Sequence, residues 1–454
     1  MEYTLTSRQV TASVGHKEVK MDKDAGELAE KGADVGKLTS KDLLNICLEE
    51  GADDAGFVEV GREALSAERE DILRIFPGTQ TILSIVKKAN RDSIQSSSLA
   101  VVDWEFSEVN RAISDVAGRI IRRLNTVGVR GVAVPPGFPM DITRWPGKVW
   151  EVSHKIVAVE AGVGHMGKHR VVIHPRFGDH ILLDTILIDA KSDRYDQPLE
   201  ESPCINCGLC ISVCPVGAIS KDGVLDFMAC AMHNYHDLFG NFQEWIEEIV
   251  SSKDVRSYRA KFRDSETISR WQSLTYGHAY RCSYCMAVCP AGDETAELYR
   301  SGKKDYAERY EKPLKTKREP VYVISGTRAE KIAKGNDFKE VRFVRNTIRP
   351  ASVGAFLQGA AILFNPERAK GLRLTLHFEF TGKEQKTATI SISEEKIHVH
   401  EGYHGGSDLY IKADSETWVG ILNEERSLVK ALITGRLKFK GNPAFLKKFK
   451  ACML

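Results

Sequence analysis

The chain has 454 residues, with 64 Lys or Arg against 62 Asp or Glu and a net charge of +2, a balance that argues against a dedicated nucleic-acid binder. With 42% hydrophobic residues it is ordinary globular material, long enough for roughly three domains at about 150 residues each. No apolar run approaches the ~20 residues of a membrane-spanning helix, and residues 1–20 (MEYTLTSRQVTASVGHKEVK) hold neither an apolar signal core nor a twin-arginine pair, so a cytoplasmic protein is expected.

Residues 1–38 are polar and lack a sustained period, which predicts an arm of little chemistry. From Ser40 the run KDLLNICLEEGAD has helical spacing and stops at Gly51. GFVEVG and TILSIVKK follow as strands, and Val109 to Leu124 (VNRAISDVAGRIIRRL) puts Ile113, Val116, Ala117, Ile120, Ile121 and Leu124 on one helical face. VGVRGVAVPP predicts a strand ended by a proline turn, and RVVIHPRFGDHILLDTILIDA a pair of strands around PRFGD. This alternation over 39–195 predicts one layered α/β domain.

Of ten cysteines, Cys47 and Cys452 stand alone and eight fall between Cys204 and Cys289, inside a segment bounded here as 196–300. Packed cysteines in a long cytosolic chain signal metal or redox chemistry, because reducing conditions would cleave structural disulfides. Cys204, Cys207, Cys210 and Cys214 with Pro215 form C-x2-C-x2-C-x3-C-P, the bacterial ferredoxin run in which the fourth thiolate serves a second cluster. Cys282, Cys285 and Cys289 with Pro290 supply C-x2-C-x3-C-P, and Cys230 makes eight. The count closes for two 4Fe-4S cubanes when each motif lends its last cysteine to the other. Cys204, Cys207, Cys210 and Cys289 are thereby assigned to one cluster, and Cys214, Cys230, Cys282 and Cys285 to the second. Zinc is the competing reading, but zinc knuckles do not favour three cysteines at this spacing before Cys-Pro. The insert from Asp237 to Ala279 carries a helical run, FQEWIEEIV, expected to pack over the clusters and limit water.

Residues 301–345 are charged and proline-punctuated, which predicts a basic linker between domains. After Pro350, SVGAFLQGAAILFN has helical spacing. LTLHFEFTG, TATISIS, KIHVHEG and SDLYIKAD then alternate in period two, and two further helices close an independent α+β domain over 346–454.

Set beside the eight cysteines, the block from His154 to Asp189 resembles the epoxyqueuosine reductase and reductive dehalogenase superfamily. Ala161, Gly162, Gly164, Gly167 and Lys168 carry the match as an Ala-Gly-x-Gly-x-x-Gly-Lys segment, and the likeness covers roughly residues 40–295. It implies an α+β architecture, with a nitroreductase-like α/β domain joined to a ferredoxin-like double-cubane module. It also implies cobalamin, a corrinoid, held by those five residues, since close-set glycines let backbone approach a flat ligand; a flavin is the alternative cofactor. In epoxyqueuosine reductases a proton-donating Asp precedes this segment in an Asp-x-x-Pro-x-x-Glu stretch. That acid falls here at Lys148 and its Glu at His154, which argues against epoxyqueuosine as the substrate. Candidate proton donors in the region are His154, His165, Asp141 and Lys148, with the two histidines flanking the glycine segment.

The C-terminal domain resembles a sterol carrier protein domain through Asn365, Pro366, Gly371, Phe378, Gly382, Gly435, Lys438 and Gly441. That likeness implies an apolar tunnel lined by Phe356, Leu357, Leu363, Trp418, Leu422 and Leu432. The combined expectation is an iron–sulfur oxidoreductase of anaerobic metabolism, taking electrons from a ferredoxin- or flavodoxin-like donor through two clusters to a corrinoid. Its substrate would be a small organic molecule, lipid-like if the tunnel is real. A flavin-dependent reductase and a non-catalytic electron-transfer or corrinoid-reactivating protein are the rival readings.

Overall fold

The computed structural model of the chain describes residues 37–238, 240–276 and 280–453, so the arm expected over 1–38 falls outside the described residues except at 37 and 38. Helix α1 (Ser40–Glu49) begins where Thr39 and Asp42 cap each other reciprocally, and it buries Leu43 and Cys47, four residues apart, on one face. Burial pushes the Cys47 thiol up to about 12, which makes it a packing residue.

Strand β1 (Asp54–Glu59), helix α2 (Ser66–Ile75), strand β2 (Thr81–Lys88), helix α3 (Leu99–Thr126), strand β3 (Gly131–Val134), helix α4 (His154–Glu160) and strand β4 (Ile181–Ile188) build the first domain. The strands form an antiparallel sheet in the order β1-β2-β4-β3. Both faces are apolar: Leu83 and Ile85 pack on α3, while Ile82 and Val86 meet Val157 and Ala158 of α4. Helix α3 starts well ahead of Val109 because Val102 and Phe106 continue its buried stripe, and this extension packs on Leu209, Val213, Tyr284 and Val288 of the cysteine segment. The arms expected to pair around PRFGD do so only at one antiparallel bridge, His174 to Gly178, with N···O distances of 2.8 and 2.9 Å. Val172–Ile173 pairs with His165–Met166 instead, and β4 leaves for the main sheet between β2 and β3.

Helices α5 (Leu209–Val213) and α6 (Phe227–Asn234) belong to the cysteine segment, and α7 (Gly240–Ser251) and α8 (Asp264–Tyr276) to the insert. The insert anchors on a later stretch of chain, through Glu244 to Arg345, Arg263 to Glu340 and Thr347 to Gly240, and its Asp237 and Ser269 bond to Arg281, next to Cys282. Residues 301–345 are not a linker. Strand β5 (Glu319–Val323), helix α9 (Arg328–Lys334) and strand β6 (Lys339–Phe343) form a parallel strand pair with its crossover helix. Val321, Val323, Ala329 and Ala333 pack there on Val216, Ala218, Cys214 and Cys230. Charge misled because some of it is internal: the buried Lys339 ammonium is satisfied by Glu319 at 2.6 Å and by the carbonyls of Leu314 and Lys317 at 3.0 Å.

The C-terminal domain comprises helix α10 (Val353–Gly359), strands β7 (Leu374–Thr381), β8 (Lys386–Ser393), β9 (Lys396–Glu401) and β10 (Leu409–Asp414), helices α11 (Ser415–Leu422) and α12 (Leu428–Ile433), strand β11 (Leu437–Gly441) and helix α13 (Ala444–Ala451). The sheet order is β9-β8-β7-β10-β11. Three helices close the domain where two were expected, and strand β11 lies between the last two; within it, only Leu437 and Phe439 mark the inner face. Trp418 packs between Phe356 and Phe378 at ring-centroid distances of 5.7 and 5.3 Å. Leu432 is 37% exposed and Leu363 faces a different core, so the six expected lining residues do not share one tunnel.

Nor is this domain independent. Leu363 and Met453 share a core with Trp145 of the first domain, Met228 and Met232 of α6, and Tyr322 of β5. Among the described residues no helix is long and apolar enough to cross a membrane.

Candidate iron–sulfur and cofactor site

All ten cysteines are free of disulfides. Cys204, Cys207, Cys210 and Cys289 line a single cavity together with Lys168, His169, Asn206 and Gly208. The first three reach it from one short loop in which Asn206 (φ 54°) and Gly208 (φ 78°) both take the left-handed conformation, curling the chain around the sulfurs. Cys289 arrives from the far motif. The second group is drawn from further apart. Cys214 and Cys230 lie in the core built under β5 and α9, and the amide of Cys282 donates to Asn234 Oδ1 at 3.0 Å, docking the second motif on the end of α6.

Burial and crowding bear on these thiols together. Burial, then the neighbouring Cys207 and Cys204, push Cys210 up to about 12, and burial with Cys214 does the same for Cys230. Burial and the Cys214 and Cys230 sulfurs likewise raise Cys282 and Cys285. Such groups of thiolates are stable only with a multiply charged soft centre among them, the donor chemistry that an iron–sulfur cluster satisfies.

A half-open recess beside the second group is inferred from four side chains. His154, Lys155, Tyr235 and Tyr280 all keep contact with solvent, yet burial displaces the pKa of each, the combination expected for the walls of a recess rather than a flat surface. A file of rings runs along it, with centroids 6.3 Å apart for Phe138 and Tyr235, 5.5 Å for Tyr235 and Tyr280, and 5.2 Å for Tyr280 and Phe106. Burial pushes the Lys155 ammonium down, opposed by the Cys230 and Cys285 sulfurs, and its Nζ donates to the Arg170 carbonyl at 2.9 Å. Aromatic walls with a cation at the edge suit a flat cofactor rimmed with polar groups.

The residues expected from sequence are scattered around this site. The Nε2 of His154 donates to the Pro135 carbonyl at 2.9 Å and its Nδ1 lies 2.8 Å from the Thr185 hydroxyl; burial keeps the ring neutral, with both nitrogens occupied inside the protein. His165 sits behind the other group, its Nδ1 3.0 Å from Ser202 Oγ, which accepts from the Cys204 amide. Lys148 is held by Glu68 at 2.8 Å and Asp71 at 2.5 Å. Asp141 accepts from Thr143, and this bond keeps its carboxyl below the usual range. Both are thus engaged in ion pairs or hydrogen bonds within the chain.

A Cβ on Gly162 would lie 2.6 Å from the Gln197 carbonyl oxygen, one on Gly164 2.7 Å from that of Ile173, and one on Gly167 2.7 Å from the His169 ring. These glycines, with the buried Ala161, let the chain approach itself closely at three points. Lys168 lines the cavity of the first four thiols.

Sequence reasoning missed Lys155, whose signal was only its place after His154. It also missed the buried Asp179. The Val171 amide donates to His169 Nδ1, leaving Nε2–H to meet Asp179 Oδ2 at 3.0 Å, and the pair stands within 4.8 Å of Cys289. No spacing announces that contact.

Residues 203–292 match the family model described as a 4Fe-4S double cluster binding domain, and residues 362–453 match the SCP-2 sterol transfer family. Epoxyqueuosine reductase from Bacillus anthracis is 36% identical over 142 residues, 31% of this chain and 30% of that protein. The enzyme of the same name from Prochlorococcus marinus is 26% identical over 191 residues, 41% of this chain and 56% of that protein. The chain thus spans between about a third and just over half of these relatives' length. The structure of epoxyqueuosine reductase from Streptococcus thermophilus aligns with a TM-score of 0.36 at 14% identity, covering 65% of this chain and 80% of that one. Another was solved with an epoxyqueuosine-modified tRNA stem loop, at a TM-score of 0.31 and 18% identity, covering 41% of this chain and 54% of that one. The chain is therefore similar to epoxyqueuosine reductases through its cluster-bearing middle, and to the SCP-2 sterol transfer family in the domain that follows.

Proposed function

We propose that the chain is a cytoplasmic iron–sulfur oxidoreductase. Two 4Fe-4S clusters carry electrons from a ferredoxin- or flavodoxin-like donor to a corrinoid in the recess, for reductive chemistry on an organic substrate. The observation that carries this reading is the gathering of Cys204, Cys207, Cys210 and Cys289 from two distant motifs on one cavity, with Lys155 and Tyr235 beside the sulfurs of the second group. A cofactor seated in the recess adjoins the second group of thiols.

Cys204, Cys207, Cys210 and Cys289 hold the first cluster, and Cys214, Cys230, Cys282 and Cys285 the second. Lys155 binds a polar group at the cofactor's edge, while Tyr235 and Tyr280 pack its face and exclude water. When bound, a corrinoid supplies a low-valent cobalt centre that the protein's own side chains cannot provide. Lys148 occupies the place where the resembled enzymes carry their acid. Its ion pairs with Glu68 and Asp71 favour a substrate other than epoxyqueuosine.

The test is anaerobic purification after expression with cobalamin supplied, with iron, cobalt and flavin counted per chain. About eight iron and one cobalt are expected. Eight iron with flavin and no cobalt would replace the corrinoid by a flavin, and four iron or fewer would sink the two-cluster reading. Lys155→Met should lower bound cobalt at unchanged iron.

A further inference from the structure

Asp179 closes the turn PRFGD, and that turn is docked on the second cysteine motif. The Asp293 amide donates to the Pro175 carbonyl at 2.9 Å, and a Cβ on Gly178 would lie 2.2 Å from the Ala291 carbonyl oxygen. Gly178 and Gly292, at φ 69° and 94°, let the two backbones meet just past Cys289. The approach carries the fully buried Asp179 carboxylate to within 4.8 Å of the Cys289 sulfur.

No lysine or arginine pairs with that carboxylate among the described residues. Its partners are imidazoles, His169 Nε2 at 3.0 Å and His180 Nδ1 at 3.3 Å. His169 accepts from the Val171 amide at Nδ1 and so carries its proton on Nε2, which leaves the ring uncharged. Burial pushes His180 toward its neutral form as well. Lys88 is engaged by Glu294 at 2.6 Å, and Arg91 donates to the Tyr306 hydroxyl at 3.1 Å. A negative charge thus stands beside Cys204, Cys207, Cys210 and Cys289, where solvent screens it little. Burial and then Asp179 raise the Cys289 thiol, whereas at Cys207 and Cys285 the carboxylate ranks behind other sulfurs as well as burial.

We propose that Asp179, oriented by His169, sets the reduction potential of the cluster held by Cys204, Cys207, Cys210 and Cys289, keeping it lower than the thiolates alone would. The inference rests on the two-cluster reading. A field that disfavours a thiolate also disfavours an electron added to the group that the thiolate holds, and net charge near the sulfurs is one of the levers on such potentials. Asp179 touches no reacting atom; it acts through Cys289, and the second group, which feels it only behind its own sulfurs, should move less.

The test is an anaerobic redox titration of the full chain with its clusters loaded, followed by electron paramagnetic resonance, on the parent, Asp179→Asn and Asp179→Glu. In Asp179→Asn one transition should rise by about 59 mV, a tenfold gain in the reduced-to-oxidised ratio at fixed potential, and the other by less. Asp179→Glu, which keeps the charge, should titrate close to the parent, with about eight iron in each protein. Unmoved potentials at full iron would overturn this inference alone, whereas a parent short of eight iron would bring down the two-cluster reading beneath it. If Asp179→Asn fails to hold iron, Asp179→Ser takes its place. Loss of iron from both neutral variants would also overturn the proposal, because the carboxylate would then hold the site together rather than set its potential.

Discussion

Gly359 presses against Pro146 so closely that a Cβ at residue 359 would lie 1.9 Å from the proline Cγ. The contact joins the end of α10 to the loop between β3 and α4. Beside it, Trp145 Nε1 donates to the Ile348 carbonyl at 3.1 Å. The loop that carries Phe138, one wall of the recess, is therefore held from the C-terminal domain. Gly359→Val should destabilise the protein by about 1–3 kcal/mol, the usual cost of overpacking, and reduce cofactor retention, while the iron count holds. Denaturant unfolding and metal analysis on the same sample check this, and unchanged stability would show that the loop yields freely.

Removal of a single ligand tests how the thiols are shared. Cys230→Ser should lower iron from about eight toward four per chain, because one cubane loses a ligand while the other keeps all of its own. Undiminished iron would remove Cys230 from the ligand set.

Lys148 is 17% exposed at its side chain and bridges Glu68, at 6%, to Asp71. Breaking such a buried pair from one side costs about 3–5 kcal/mol. Lys148→Gln should therefore show a large loss of unfolding free energy, with turnover falling only as far as folded protein is lost. A catalytic role would show the reverse, normal stability with no turnover.

Asp184, in the middle of β4, is 1% exposed, and burial pushes its carboxyl from 3.8 up to about 8. The folded chain thus keeps a proton that the unfolded chain releases near ~3.9. Its stabilising contribution is whole below that value and is lost as pH rises through about 8. Asp184→Asn should flatten the decline of stability over this window, measured as the difference from the parent at each pH.

Much of the metal chemistry was legible in the sequence because spacing constrains it: three cysteines at every third position and a proline announce a cluster loop, and the complementary motif closes the count. Strands such as TILSIVKK and the four alternating strands of the C-terminal domain were legible for the same reason, a period matched to one geometry. Distance was not legible. At the glycines of the 161–168 segment the sequence shows that a Cβ is absent, not that the Gln197 and Ile173 carbonyls stand where it would be. Lys148 and Lys155 look alike in one dimension, yet one is buried between two carboxylates and the other borders a half-open recess. Residues 301–345 read as a linker because charge reports solvent only when it is not paired inside, as Lys339 is with Glu319.

The core that joins Met228 and Met232 of α6 to Tyr322, Leu363 and Met453 sets an order of assembly. Helix α6 carries Cys230, and its apolar face meets Trp145 and Val149 from earlier in the chain, then Tyr322, and last Leu363 and Met453. The loop from Cys204 to Cys210 needs only Cys289 to complete its group. During synthesis the first cavity can therefore close before the cover over α6 is complete. A truncation in that last domain would be read out far away, at the helix that carries Cys230.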